Sequence, residues 1–311
     1  MKIVIALGGN AILPKGASFH VVTQFKTTKE SLYKVLPIIE KSKRCVITHG
    51  NGPQVGVAFL RNYYARKEIP MYPLDVLDAE TQGWMGYMIS HLLNEIFYEK
   101  KIDKRISVII TQVLVDEKDP EFKEPTKPIG PFFTYKEAEE MKGLFPYPIK
   151  KDVNRGYRIT VPSPKPIDII EKDIIKKLVE EGNVVIAGGG GGIPLVKKGN
   201  KLKAVYGIID KDLCSAKIAS FINADYFLIL TDVDKVYLNY GTENQKPIDV
   251  LKIDEAINYL KEGHFPKGSM GPKIEAAIEF LKNGGKEVII TSLDKAKEAI
   301  EGKGGTRIVK D

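Results

Sequence analysis

The sequence predicts an α/β protein built around a mainly parallel sheet. Three observations carry this: short β-branched runs alternate with longer segments of helical period, several of those runs end in glycine-rich turns, and the composition is ordinary for a globular chain. Its 311 residues are 43% apolar and 28% charged, which excludes collagen-like, low-complexity and disordered classes.

Taken in order, strands are expected at 2–7, 44–48, 106–115, 183–187, 225–230 and 286–291, with a terminal one at 305–309. Helical period marks 24–41, 75–98, 168–181, 210–222 and 271–283. The last carries Ile274, Ala277, Ile278 and Leu281, an i, i+3, i+4, i+7 stripe that faces a core. Pro37 predicts a kink or an end within 24–41. Residues 194–207 read as a β-hairpin turned at Gly199-Asn200.

One region breaks the alternation. Nine of the 18 prolines fall between Pro120 and Pro166, about a seventh of the chain. Proline removes ladder donors and breaks helix interiors, so residues 117–166 read as an inserted, protruding lobe within a single domain spanning 1–311. Phe132, Phe133, Tyr135, Phe145, Tyr147 and Tyr157 are available for a small core of its own.

The 47 basic and 40 acidic residues leave a net charge of +7. That balance fits a nucleic acid, a membrane surface or an acidic small substrate as partner, and equally a lysine-rich solvated surface with no partner. Cys45 and Cys214 have no CxxC or metal-type spacing, which argues against a disulfide framework or zinc site and for a reducing compartment. The opening apolar run 3–7 is too short for a signal sequence, and no 18 apolar residues run together. The expectation is a soluble, cytoplasmic protein that contacts no membrane.

Gly8-Gly9-Asn10-Ala11 follows the first strand, His49-Gly50-Asn51-Gly52-Pro53-Gln54-Val55-Gly56 the second, and Gly188 to Gly192 the strand 183–187. A single such run needs no more explanation than a tight turn with φ > 0. Three at strand ends point to an anion site, because ligands of open α/β sheets bind outside the carboxyl ends of strands, where glycine admits backbone N–H groups to a phosphate. The familiar phosphate motifs fail. Gly285-Lys286 is followed by Glu287 and Gly302-Lys303 by Gly304, so there is no Walker A loop. No histidine precedes an arginine, and Gly50-Asn51-Gly52 lacks the third glycine of a dinucleotide fingerprint.

Three lysines stand in framed contexts. Lys127 lies in Pro125-Thr126-Lys127-Pro128, and Lys211 between Asp210 and Asp212 at the start of a helix. Lys273 follows Gly271-Pro272, with Pro272 expected at the first helical position. A lysine there opposes the helix dipole at a cost of about 0.3–1 kcal/mol unless an anion lies between them. Asp210 and Asp212 read as helix caps, or Asp212 as the group that orients Lys211 and a neighbouring lysine. Leu230-Thr231-Asp232-Val233 reads as a nucleotide contact or an Asx turn.

With those residues in view, the chain resembles the carbamate kinase branch of the amino acid kinase family nearly end to end. The resemblance rests on the three glycine runs, Gln82-Gly83-Trp84-Met85-Gly86-Tyr87, Pro125 to Phe132, Val161-Pro162-Ser163-Pro164, Ile209 to Asp212, Leu230 to Val233 and Gly268 to Lys273. It implies a three-layer αβα sandwich with a mainly parallel open sheet and a small protruding subdomain, a homodimer, and a place in arginine metabolism. The implied reaction is reversible phosphoryl transfer between ATP and carbamate, giving ADP and carbamoyl phosphate with Mg²⁺ and no metal ligand assigned from protein side chains.

By the same resemblance Lys211 and Lys273 contact the phosphates in transfer, Lys127 reaches down from the lobe and Asp212 organises the lysines. Gly8, Gly9, Asn10, Gly50, Asn51 and Gly52 cradle the phosphoryl group and carbamate. Lys211, Asp232, Tyr237, Tyr240, Met270 and Lys273 form the nucleotide side. Carbamate attacks through an oxygen that is already ionised, so positioning and electrostatics suffice without a general base. A lysine on a mobile lobe completes such a cluster on closure.

Two departures stand out. The branch shows a second arginine where this chain reads Tyr157-Arg158-Ile159 after Asn154-Arg155-Gly156, and Pro14 to Thr23 matches poorly. The alternatives are a glutamate, acetylglutamate or aspartate kinase of the same fold, a nucleotide-binding regulator without turnover, and a nucleic-acid binder. The Lys127 motif speaks against the first two, and the framed lysines favour small-molecule partners over nucleic acid.

Overall fold

The protein is described here by a computed structural model covering residues 1–143, 148–152, 156–266 and 268–310. Phe145, Tyr147, Asn154 and Arg155 lie outside the described residues. The strands begin with β1 (Lys2–Leu7), β2 (Arg44–His49), β3 (Ile106–Val108), β4 (Gln112–Val115), β5 (Lys127–Phe133), β6 (Ile149–Asp152), β7 (Gly156–Val161) and β8 (Pro166–Ile169). They continue with β9 (Val184–Ile186), β10 (Ile193–Lys198), β11 (Lys201–Ala204), β12 (Tyr226–Thr231), β13 (Val236–Leu238), β14 (Lys246–Ile248), β15 (Val250–Lys252), β16 (Glu287–Ser292) and β17 (Thr306–Val309). The helices are α1 (Val21–Lys41), α2 (Gly52–Ala65), α3 (Leu74–Lys100), α4 (Tyr135–Glu140) and α5 (Lys172–Glu180). After them come α6 (Lys211–Phe221), α7 (Ile253–Glu262), α8 (Met270–Lys282) and α9 (Ala296–Ile300).

The main sheet has the order β15-β17-β16-β12-β1-β2-β9-β3 among the described residues, parallel except where β16 meets β17. Its central strands β1 and β2 are buried from their second residue on because both faces are covered. On β1, Val4 and Ala6 pack against α5, α6 and α8, while Ile3, Ile5 and Leu7 pack against α1, α3 and α9. The result is the expected αβα sandwich. The stripe Ile274, Ala277, Ile278 and Leu281 on α8 is buried as its spacing requires.

A second sheet, β11-β10-β4-β8, contains the predicted hairpin, turned at Gly199 with φ +58°. The expected single strand 106–115 is divided between the two sheets. After β3 pairs with β9, Thr111 is held by Gln82, whose carboxamide accepts from the Thr111 N–H (2.9 Å) and donates to its carbonyl (3.2 Å). That side-chain clamp stands in for a strand ladder and turns the chain toward β10, which explains Gln82 in the Gln82–Tyr87 run.

Three further expectations change. Residues 168–171 complete β8 and a turn, so α5 starts at Lys172, not 168. Helix α1 runs through Pro37 to Lys41, anchored by buried Leu36, Ile38 and Ile39. Pro272 sits in the third helical position of α8, behind Met270 and Gly271; the missing N–H costs nothing there, since first-turn donors have no partner within the helix.

The proline-rich stretch contains the antiparallel sheet β5-β7-β6 and α4. Its apolar face does not close on itself. Ile129, Phe133, Ile159 and Val161 form one cluster with Val55 and Phe59 of α2 and with Leu74 and Leu77 of α3, while Phe132 and Tyr135 are exposed. A three-stranded sheet has one apolar side and needs a partner layer, and α2 supplies it. At the contact Gly56 faces Gly130: a Cβ on Gly56 would lie 2.8 Å from the Gly130 Cα.

Candidate active site

Strands β1, β2 and β9 are neighbours in the sheet, so the three glycine runs stand side by side at their carboxyl ends. Gly8 approaches β12 so closely that a Cβ would lie 2.7 Å from the Leu230 carbonyl oxygen. Gly9 and Asn10 form an exposed turn, and Gly52 opens α2. Gly50 packs along the Lys211 side chain. A Cβ on Gly191 would lie 2.3 Å from the Ile209 carbonyl oxygen, so the second and third runs border the start of α6.

Asp210 and Asp212 organise that place. Asp210 caps α6, its Oδ1 accepting from the Asp212 N–H at 2.9 Å. Its Oδ2 accepts from Lys127 Nζ at 3.0 Å across the gap to the lobe. Asp212, 3% exposed, takes Lys211 Nζ on one oxygen (2.8 Å) and Lys273 Nζ on the other (2.9 Å). All three framed lysines therefore meet on two carboxylates one residue apart, leaving one net positive charge among the five side chains. Asp210 is a site residue that sequence reasoning saw only as a cap; its position beside Lys211 was visible, but its reach to Lys127 was not.

Electrostatics follow from burial and pairing. Burial opposes the Asp212 charge, yet Lys211 and Lys273 hold its carboxyl well below the usual range. Burial, with Lys273 adjacent, lowers Lys211 against the pull of Asp212. Lys273 is raised, because Asp212 outweighs its burial. The expected conflict between Lys273 and the α8 dipole is thus answered by a carboxylate already in place. His49 is pushed down to about 4 by burial, with the Lys211 charge adding, so the ring is neutral at physiological pH. Both cysteines are free and buried.

Asp232, Tyr237, Tyr240 and Met270 line a cavity of about 170 Å³ together with Thr231, Val233, Pro266 and Ser269. The tyrosine rings are 5.8 Å apart. Lys273 lies one helical turn beyond Met270, which connects this cavity to the lysine cluster, while Lys211 does not line it. A larger cavity of about 790 Å³, lined by Phe19, Phe25, Trp84 and Tyr87 and by Gln54 of the second glycine run, carries none of the framed lysines. Part of Pro14 to Thr23 borders it. Arg158 donates to the Gly130 carbonyl at 2.8 Å and lies over the Phe132 ring, so it braces β5 within the lobe.

The sequence profile of the amino acid kinase family matches residues 1–292. The chain belongs to the amino acid kinase family. Relatives include a carbamate kinase of Pyrococcus horikoshii, 45% identical over 99% of this chain and 98% of its own length. The carbamate kinase-like protein YqeA of Escherichia coli is 46% identical over 99% of this chain and 98% of its length. Among solved structures, carbamate kinase from Giardia lamblia bound to AMP-PNP is 41% identical with a TM-score of 0.93, covering 100% of this chain and 98% of that one. The family shares the mainly parallel α/β sandwich observed here. Among the described residues no helix is long and apolar enough to cross a membrane.

Proposed function

We propose that this chain is a carbamate kinase that transfers the γ-phosphoryl group of ATP to carbamate, reversibly, giving ADP and carbamoyl phosphate. The observation that carries the reading is the meeting of Lys127, Lys211 and Lys273 on Asp210 and Asp212 beside three glycine turns. An ionised carbamate oxygen forms the new bond to phosphorus while the bond to the ADP oxygen breaks, and the electron pair stays on the β-phosphate. No proton moves, so a neutral, buried His49 is no obstacle.

The task is to hold two anions together and spread charge over the transferring oxygens. Lys211 and Lys273 act on the nucleotide phosphates, with Asp212 keeping them apart and charged. Lys127 acts from the lobe on the carbamate side, and N–H groups of Gly8, Gly9, Asn10, Gly50, Asn51 and Gly52 receive the phosphoryl oxygens. Adenosine occupies the cavity of Asp232, Tyr237, Tyr240 and Met270. Mg²⁺ bound to the nucleotide would supply neutralisation of phosphate charge beside Lys211 and Lys273.

The proline-rich stretch serves as a lid that closes over the apolar contact it makes with α2 and α3. The protein works in the cytoplasm as a homodimer, for which the exposed apolar Phe19, Val21, Val22 and Tyr87 offer a surface.

Phosphorus NMR of the purified chain with MgATP, bicarbonate and ammonia tests the reading. ADP and carbamoyl phosphate are expected. An acyl phosphate formed only from glutamate or acetylglutamate replaces this substrate with another, and nucleotide binding without turnover favours a regulator.

A further inference from the structure

Behind the glycine turns lies a buried polar group for which the transfer chemistry has no direct use. Asp78 of α3 is 1% exposed. Its Oδ1 accepts from Asn51 Nδ2 at 2.5 Å, and its Oδ2 is buried without a hydrogen-bond partner among the described residues. A carboxyl held in the interior with one oxygen unmatched is costly, and apolar residues of similar size are the usual occupants of such positions.

The geometry shows what it holds. The second Asn51 amide hydrogen goes to Thr81 Oγ1 at 2.8 Å, and that hydroxyl donates to the Asp78 carbonyl at 2.8 Å. Both amide hydrogens are thus committed to α3. From the other side Gly190, at φ +66°, presses on the amide so closely that a Cβ there would lie 2.3 Å from Nδ2. Asn51 is clamped between α3 and the third glycine run, at the centre of the Gly50–Gly52 turn whose first residue packs on Lys211. With its amide hydrogens spent, Asn51 offers an incoming anion its backbone N–H.

We propose that Asp78 is a positioning residue of the transfer site: through Asn51 it fixes the direction in which the Gly50–Gly52 turn presents its N–H groups to the anion. The inference rests on the carbamate kinase reading above and adds a residue with no place in the sequence motifs. Burial pushes the Asp78 carboxyl up to about 7, with the Asn51 and Gln82 amides opposing and Asp75 adding. The titratable groups that interact with it are Asp75 on its own helix and Cys214 on α6. When Asp78 ionises, a negative charge stands behind an anion site, so substrate affinity falls as pH rises through neutrality.

The experiment measures ATP formation from ADP and carbamoyl phosphate, with ADP binding by calorimetry. Asp78→Ala removes the acceptor and lowers kcat at least ~10-fold with ADP affinity within ~2-fold. Asp78→Asn keeps an acceptor and removes the charge: kcat at about pH 6 stays within ~3-fold, and the rise in KM for carbamoyl phosphate that wild type shows toward about pH 8 disappears. Should Asp78→Ala fail to fold, Thr81→Val carries the same test, with kcat reduced at least ~3-fold. Wild-type kcat in the acceptor-deleting variant, or an Asp78→Asn pH profile that overlays wild type, overturns the proposal while leaving the kinase reading intact. A wild-type chain that makes no ATP overturns both.

Discussion

Replacing Lys127 by alanine isolates the contribution of the lobe. Its ammonium lies 3.0 Å from Asp210 Oδ2, and the side chain is 37% exposed. Asp210 keeps its bond from the Asp212 N–H, so the cap survives and the folded state loses about 0–1 kcal/mol, the usual worth of a partly exposed ion pair. The transition state loses more. One unit charge about 4 Å from the transferring oxygens contributes about 4 kcal/mol at an effective dielectric constant near 20.

Water entering the vacated space recovers part of that, leaving a loss of about 2.7 kcal/mol or more, a fall in kcat of at least ~10²-fold. Nucleotide affinity changes little, because the cavity of Asp232, Tyr237, Tyr240 and Met270 does not include Lys127. A coupled assay of ATP formation gives kcat and KM, and calorimetry with ADP gives binding. A kcat within ~3-fold of wild type refutes the role given to the lobe.

Asp212→Asn leaves two buried ammonium groups without a counter-charge and destabilises the fold by about 3–5 kcal/mol at pH 7 in urea melts. Because the Asp212 carboxyl is depressed in the folded state, that stability is present above about pH 4 and is lost as pH falls through the folded value, so the gap between variant and wild type closes only in acid. Asp78 has the opposite sign: raised to about 7, it costs wild type stability as pH climbs from about 4 to 7, so Asp78→Asn melts like wild type near pH 4 and is more stable near pH 8 by up to ~4 kcal/mol. Gly56→Ala drives a methyl group against the Gly130 backbone and shifts the strand that carries Lys127, so kcat falls at least ~10-fold while ADP binding persists; unchanged kcat removes the link between α2 and the lobe.

The parts of the fold readable from sequence are those where one physical demand dominates. Strands β1, β2, β12 and β16 are covered on both faces and therefore appear as short, mostly apolar runs, and the glycines that follow β1, β2 and β9 mark the anion side. The division of 106–115 escaped because the device that ends β3 is a side chain from α3, 29 positions earlier, whose partner Thr111 looks like any strand residue. Helix α2 was hidden for a related reason: His49 to Gly56 reads as a glycine-rich turn, yet Pro53 lies in the first turn of the helix and Gly56 is required by the approach of Gly130.

At the site, the framed lysines and Asp212 were visible because their neighbours are unusual. Asp210 as the partner of Lys127, and Asp78 behind Asn51, were not, since each pairing spans 83 or 27 positions and depends on packing that no local pattern encodes.

The central claim is that three lysines on two carboxylates serve an acyl phosphate whose acyl group is carbamate. The most direct test is ATP formation by the purified wild-type chain from MgADP with carbamoyl phosphate, compared with acetyl phosphate and with the acyl phosphates of glutamate and acetylglutamate at equal concentration. The account predicts turnover with carbamoyl phosphate and a kcat/KM at least ~10²-fold above the others. Background-level ATP from carbamoyl phosphate, or equal use of another acyl phosphate, contradicts it.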